Sequence, residues 1–304
     1  MKVIPNLLFD FHNDCIDING NLILKEISSM EEYEDYKSTT FNARHDFEMD
    51  LAEKVRKQPD KVYRMPGYSE TAGQITEFCI DLNYSDGQTP NFRERVVCPL
   101  TELNNRQRFI SSYLKSLTDR YNYSSIFTFE QATPVYRFIS HYLKRCNIIG
   151  SEYLGIYATA GDVINGIRHE DATDLTLSDK SFDVVFSSEV LNRTPDLSKT
   201  IDETFRVLKE NGTFVFSTPF SMNMKVTRQR ARKTEAGVYH MFDARYYVGH
   251  HTREQESPVF YDLGWDIFDM LKESGFKKAY LLCYYSVFYG YLGEGLQSIF
   301  IAEK

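Results

Sequence analysis

The chain has 304 residues, 42% of them hydrophobic, which allows one large domain or two modest ones with a real core. Its 35 Lys plus Arg against 43 Asp plus Glu give a net charge of −8, which argues against a protein that coats nucleic acid. The five scattered cysteines (Cys15, Cys79, Cys98, Cys146 and Cys283) include no CxxC pair, so neither a disulfide framework nor a complete zinc site is indicated. No window approaches the roughly 18 apolar residues of a membrane span, and Met1 to Phe11 is too short and broken for a signal peptide. The expectation is a cytoplasmic protein without a membrane span.

Residues 1–45 have weak periodicity, and residues 1–62 read as an N-terminal accessory region. In it Val3 to Phe11 is a strand or an irregular apolar arm, and the acid-rich Glu26 to Tyr36 is expected to be exposed. Phe47 to Arg56 reads as a short helix capped by Asp46, with Leu51 and Val55 inward. Residues 63–103 form a second region, taken up below. From Asn104 to about Asp119, Phe109, Ile110, Tyr113, Leu114 and Leu117 make one apolar helical face. Ser124 to Phe129 is a short strand. Thr133 and Pro134 then supply an N-cap and an N1 proline for a helix to about Arg145. Cys146 to Ser151 is the next strand, with Glu152 at its end, and a short segment ending in His169-Glu170-Asp171 reads as a third.

Phe182 to Ser188 is near-continuously apolar, as a strand buried on both faces should be. A helix from about Ser198 to Lys209 follows, with Ser198 as cap and Gly212 past its end. The strand Thr213 to Ser217 is then stopped by Pro219. Strand, helix, strand with short links is a βαβ unit of a parallel sheet. In the insertion at about 222–242, Arg228, Arg230 and Arg232 alternate and so share a face if extended, with Val238 to Phe242 returning as a hairpin. Tyr261 to Ser274 reads as a helix, and Lys278 to Ser286 and Gln297 to Ala302 as antiparallel strands.

Five pieces carry a resemblance: Glu170-Asp171-Ala172-Thr173, Ser181-Phe182-Asp183-Val184-Val185, Glu189-Val190-Leu191, Arg206 to Gly212 (RVLKENG) and Phe216-Ser217-Thr218-Pro219-Phe220. Their order and wording resemble the class I S-adenosylmethionine (SAM)-dependent methyltransferases of the type 11 kind. The resemblance implies an α/β, Rossmann-like seven-stranded sheet with an antiparallel terminal strand over residues 104–304, with SAM as cofactor. Residues 63–103 resemble the small zinc ribbon that precedes the catalytic domain in one subgroup, through Asn91-Phe92-Arg93-Glu94 and Cys98-Pro99 to Leu103-Asn104-Asn105-Arg106. Ser69, Ala72, Cys98 and Thr101 stand at the four ligand positions, and one thiolate cannot hold Zn²⁺. A ribbon-like hairpin without metal, held by packing, is therefore expected.

Most class I methyltransferases have a glycine-rich turn after the first strand, whereas this chain has no glycine between Gly87 and Gly150. It carries Glu130-Gln131-Ala132-Thr133-Pro134 instead, similar to the loop of the ribbon-bearing subgroup. On that reading the helix N-terminus, Gln131 and Thr133 take the methionine carboxylate and Glu130 the ammonium. Glu152 accepts from the ribose hydroxyls, Asp171 from the adenine amino group, and Ala172 gives a backbone contact. Ser187, Ser188 and Glu189 end the strand that points at the reacting centre. The family often has His where Asn192 or Arg193 stands here. Lys225, Arg228, Arg230 and Arg232 are candidates for an anionic substrate, and His240, Asp243, His250 and His251 include the candidate bases, His240 and His250 foremost. The expected reaction is O-methylation of a sugar or other small hydroxyl acceptor, as in surface-polysaccharide or secondary-metabolite pathways. The alternative is a non-catalytic methyltransferase fold acting as a binding or regulatory partner. A nicotinamide-dependent oxidoreductase needs a Gly-rich fingerprint that this chain lacks.

Overall fold

The computed structural model describes residues 22–242, 247–248, 257–293 and 297–304. The arm Val3 to Phe11, Asp243, His250 and His251 lie outside the described residues. Two compact units emerge. The first takes the chain up to Ile27, Glu31–Asn122 and Leu282–Ser298, and the second Ser28–Met30, Tyr123–Leu281 and Ile299–Lys304.

The first unit begins with strand β1 (Ile23–Ile27) and the helix α1 (Met30–Lys57). Leu51 and Val55 are buried as expected, but the short helix and the exposed acidic segment of the sequence reading give way to one helix of 28 residues. Asp46 sits inside it rather than at its cap, and Tyr33 and Tyr36 are buried. The buried stripe also includes Thr40, Arg44 and Glu48, so apolar periodicity alone misses it. Each of these polar side chains makes a specific hydrogen bond. Arg44 donates from Nη2 to Tyr36 Oη at 2.7 Å and lies over the Tyr285 ring, and Glu48 Oε1 accepts from Gly293 N at 2.7 Å.

Strands β2 (Tyr63–Ser69), β3 (Gln74–Ile80) and β4 (Val96–Val97) form an antiparallel ribbon. Helix α2 (Asn105–Tyr121) follows, opened by a reciprocal capping box between Asn104 and Gln107. Its Arg108, 1% exposed, donates to the carbonyls of Tyr289 (2.6 Å) and Gly290 (2.7 Å), with its guanidinium over the rings of Phe78 and Tyr291. Ser69, Ala72, Cys98 and Thr101, the positions singled out by the ribbon resemblance, fall in two tight turns. Gly73 N and Glu102 N donate to Ser69 O and Cys98 O, at 2.8 Å each. Burial pushes the Cys98 thiol up, but the hydroxyls of Ser69 and Thr101 and the N–H groups of Leu100 and Thr101 outweigh it and hold it below its ordinary value. Cys98 packs in an apolar cluster with Leu51, Val55, Met65, Phe78 and Ile80. Among the described residues no group of three or more His, Cys, Asp or Glu is placed to hold a metal ion.

The second unit contains β5 (Ser125–Thr128), α3 (Pro134–Tyr142), β6 (Asn147–Gly150) and the small hairpin β7 (Val163–Ile164) and β8 (Ile167–Arg168). It continues with β9 (Phe182–Ser188), α4 (Leu197–Val207) and β10 (Leu208–Ser217). Short strands follow: β11 (Arg228–Gln229), β12 (Ala231–Thr234), β13 (Gly237–His240), β14 (Tyr247–Val248), β15 (Ser257–Pro258) and β16 (Tyr261–Asp262). Helix α5 (Ile267–Glu273) and strands β17 (Lys278–Tyr285) and β18 (Ser298–Glu303) close the order. The main sheet runs β6-β5-β9-β10-β18-β17-β1. β6, β5, β9 and β10 are parallel and β18 is antiparallel to β10, the mixed α/β arrangement expected.

Four local expectations change. The segment ending His169-Glu170-Asp171 adds no strand to this sheet. It makes one parallel bridge, Glu152 to His169, and β1 supplies the seventh strand from the other edge. The cap of α4 is Asp196, which accepts from Lys199 N, rather than Ser198. The last helix starts at Ile267, because Tyr261–Asp262 pairs with Arg228–Gln229 instead. That pairing also separates Arg228 from the hairpin β12–β13 that carries Arg232.

Gly290 has φ +62, and a Cβ there would lie 2.7 Å from the Phe78 ring and 3.1 Å from Arg108 Nη2. Gly290→Ala should therefore destabilise the protein by about 1–3 kcal/mol, read as a thermal midpoint lowered by several degrees. Asp183, at the base of β9, offers a pH test. Burial raises its carboxyl, but Lys209, the Ser124 and Ser125 N–H groups and the Ser125 hydroxyl together hold it below the ordinary value. A depressed carboxylate contributes stability above its unfolded pKa and loses it as pH falls through the folded one. The midpoint gap between the parent and Asp183→Asn should thus be flat above about pH 5 and shrink as pH falls below about 4.

Candidate functional site

The site grows from the C-terminal ends of the parallel strands, where an open α/β sheet leaves its crevice. β5 and β6 end side by side, with Thr128 opposite Gly150. Glu152 follows β6 and is 7% exposed. Its Oε1 accepts from Gln131 N and Ala132 N, both at 2.9 Å. Two consecutive backbone N–H groups thus converge on one carboxylate oxygen, and the loop after β5 is fixed by a charge. Thr133 then caps α3, its Oγ1 accepting from Tyr136 N at 3.1 Å with Pro134 in the first turn. The Gln131 side chain is used within the protein, donating to Gly166 O and accepting from Arg168 N, both at 2.8 Å. It ties the loop to the β7–β8 hairpin.

The close approach that a glycine-rich turn would provide occurs on the neighbouring strand. A Cβ on Gly150 would lie 2.5 Å from the Tyr136 ring and 3.0 Å from Glu130 O. Gly150 is thus what lets the loop and α3 settle against the end of β6. Glu130 is buried beneath that loop.

Asp171 Oδ1 accepts from Thr173 N (2.9 Å) and Thr173 Oγ1 (2.7 Å), which makes a tight turn and positions Ala172 between them. Glu152 Oε2 and Asp171 Oδ2 accept no hydrogen bond among the described residues. Next to this pair, Glu170 is neutralised by Arg168 at 2.6 Å. At the end of β9, Ser187 and Ser188 are buried. Glu189 adopts φ 60 and accepts from Ser217 Oγ at 3.0 Å while its N–H donates to Ser217 O. Among the described residues, the buried Ser187 Oγ, Asn192 Oδ1 and Thr218 Oγ1 here have no hydrogen-bond partner. Burying a polar group unpaired is costly, and these atoms can offer hydrogen bonds to a polar ligand.

The remaining candidates stand on the later insertions. Arg228 and Arg230 both pair with Asp262 Oδ2, Arg230 at 2.7 Å, so much of their charge is compensated inside the protein. The Lys225 and Arg232 side chains meet no carboxylate among the described residues. His240 is half-buried opposite Ala231 on β13, while His250 lies outside the described residues. Sequence reasoning missed Gly150, Thr218 and Asp262. Only Gly150 had a signal, as the first glycine after a long glycine-free stretch.

Comparison with known proteins places this geometry. A family model for a methyltransferase domain matches residues 152–216. A protein of Mycolicibacterium smegmatis described as a "Probable S-adenosylmethionine-dependent methyltransferase" is 35% identical over 74 residues, 24% of this chain and 27% of that protein. The chain thus spans about a quarter of the length of that curated relative. Among solved structures, the DszA carbon methyltransferase aligns at 14% identity and TM-score 0.41, over 68% of this chain and 56% of its own. A SAM-dependent methyltransferase from Mesorhizobium loti aligns at 17% identity and TM-score 0.35, over 60% of this chain and 91% of its own.

Glu152→Ala should free the loop. Exchange of the Gln131 and Ala132 amide protons, followed by mass spectrometry, is expected to speed up by roughly tenfold to a hundredfold, the equivalent of losing charge-assisted hydrogen bonds. Gly150→Ala should speed the same amides by displacing Tyr136. The stretch that matches the methyltransferase domain model, residues 152–216, lies on the parallel core of the sheet and includes Glu152 and Asp171.

Proposed function

We propose that the protein transfers a methyl group from SAM to a hydroxyl of a small acceptor, a sugar or a comparable metabolite, with an anionic group on the acceptor. The observation that carries this reading is the pair of open carboxylate oxygens, on Glu152 after β6 and on Asp171 beyond its parallel bridge. Two acceptors of that kind fit the donors of a nucleoside, ribose hydroxyls at Glu152 and an exocyclic amine at Asp171, with Ala172 against the ring. The N-terminus of α3 offers a positive dipole end to a carboxylate, and Glu130 offers a counter-charge to an ammonium. When bound, the cofactor supplies an electrophilic sulfonium methyl.

The chain's own residues then do three things. The pinned loop holds one reactant in a fixed place, since alignment is most of what such a transfer requires. The buried hydroxyls of Ser187 and Thr218, with Asn192, offer hydrogen bonds to an acceptor at the ends of β9 and β10. Lys225 and Arg232 supply uncompensated positive charge for an anionic acceptor, while Arg228 and Arg230 hold the base of that segment through Asp262. His240, half-buried on β13 beside the basic segment, is the described candidate to take the hydroxyl proton.

Titration calorimetry with S-adenosylhomocysteine tests this directly. Micromolar binding is expected, weakened roughly tenfold to a hundredfold by Asp171→Ala, as for loss of a buried acceptor. No heat at millimolar ligand from a folded protein would sink the proposal and favour a methyltransferase fold that serves as a binding partner.

A further inference from the structure

The hairpin β12–β13 is built unlike the rest of this acidic protein. From Lys225 to Phe242 the chain holds five cations and a single acid, Glu235. Every residue from Arg232 to Tyr239 is exposed. Cross-strand register sets Arg232 beside Tyr239 and Lys233 beside Val238, so these two exposed pairs each couple one cation with one apolar side chain. The Arg232 guanidinium lies 5.0 Å from the Tyr239 ring centre. Val226, Met241 and Phe242 add exposed apolar surface at the base, where Val226 is 68% and Met241 49% exposed.

A two-stranded ribbon exposed in this way gains little stability from its own apolar side chains. A cluster of such side chains in water marks a surface that meets something else. The partner must satisfy both halves of the pattern. A phosphate-rich polymer would take the cations, and an aromatic ring could stack on a base. It would still leave Val226, Val238 and Met241 in water. A lipid surface takes both: Lys and Arg reach phosphate headgroups while Val, Met and Tyr enter the headgroup and acyl boundary.

We propose that this hairpin docks the protein on an anionic lipid bilayer, with Arg232 and Lys233 at the headgroups and Val238, Tyr239 and Met241 inserted at the boundary. The charge of the whole chain makes the contact directional. At a net −8 an anionic membrane repels most of the surface, and the basic hairpin is the part it attracts. Among the described residues no helix is long and apolar enough to cross a membrane, so the contact is peripheral.

The test is sedimentation of the full chain with vesicles of phosphatidylcholine alone or with about one-third phosphatidylglycerol. The protein should pellet with the anionic vesicles and not the neutral ones, and added salt should release it. Lys233→Glu should lower the partition coefficient by roughly tenfold or more. Val238→Ser combined with Tyr239→Ser should lower it by about tenfold, with the thermal midpoint and S-adenosylhomocysteine binding unchanged. No pelleting with anionic vesicles overturns the inference. So does pelleting that survives the Val238/Tyr239 variant, which would make the hairpin a site for soluble anions. Tight binding to a short RNA or DNA that responds to Lys233→Glu, without vesicle binding, would assign the cations to nucleic acid instead.

Discussion

The second unit depends on one carboxylate oxygen. Glu152 Oε1 gathers two successive backbone N–H groups from the loop after β5, and that loop decides where α3 begins. A glycine-rich turn shapes such a loop from within, by adopting backbone conformations closed to other residues. Here the shape is imposed from the adjacent strand by charge, and the missing space is made by Gly150, where Tyr136 and Glu130 come close. The arrangement keeps ordinary residues in the loop, and so keeps side chains such as Gln131, which tie it onward to the β7–β8 hairpin. It also leaves the second oxygen of the same carboxylate without a hydrogen bond among the described residues.

The first unit solves a different problem. Its ribbon turns tightly at Ser69–Gly73 and again at Cys98–Glu102, and its cross-linking is carried by buried cations held among aromatic rings. Arg108 bonds two carbonyls of the segment 289–290 and lies against Phe78 and Tyr291, while Arg44 lies between Tyr36 and Tyr285. A guanidinium is planar and weakly hydrated, which suits it to this role better than an ammonium. Tyr36, Tyr285, Phe78 and Tyr291 thus form the walls around buried charge.

What could be read from the sequence follows from how local each feature is. β9 was legible to the residue because a strand buried on both faces is apolar at every position. The inward face of α2 and the cap of α3 were equally local. Helix α1 was not, because Thr40, Arg44 and Glu48 belong to its buried stripe only through partners far along the chain. The start of α5 was misplaced because Tyr261–Asp262 had a pairing partner at Arg228–Gln229, and no local pattern announces a two-residue strand. In the site, Glu152 and Asp171 stood out as acids after apolar strands. The compensation of Arg228 and Arg230 by Asp262, and the unpartnered Thr218 hydroxyl, are products of tertiary geometry.

The chain order of the two units bears on how the protein is made. The first unit is closed by bonds between distant positions: Glu48 with Gly293, 245 residues apart, Glu70 with Tyr291, 221 apart, and Arg108 with Gly290, 182 apart. During synthesis, α1, the ribbon and α2 leave the ribosome early but cannot complete their core until the segment around Tyr289–Gly293 emerges. By then nearly all of the second unit, Tyr123–Leu281, is already out. The unit that starts first therefore finishes late. In the interval the aromatic walls around Arg44 and Arg108 stand open, at the stage when exposed apolar surface is most prone to mispairing between nascent chains.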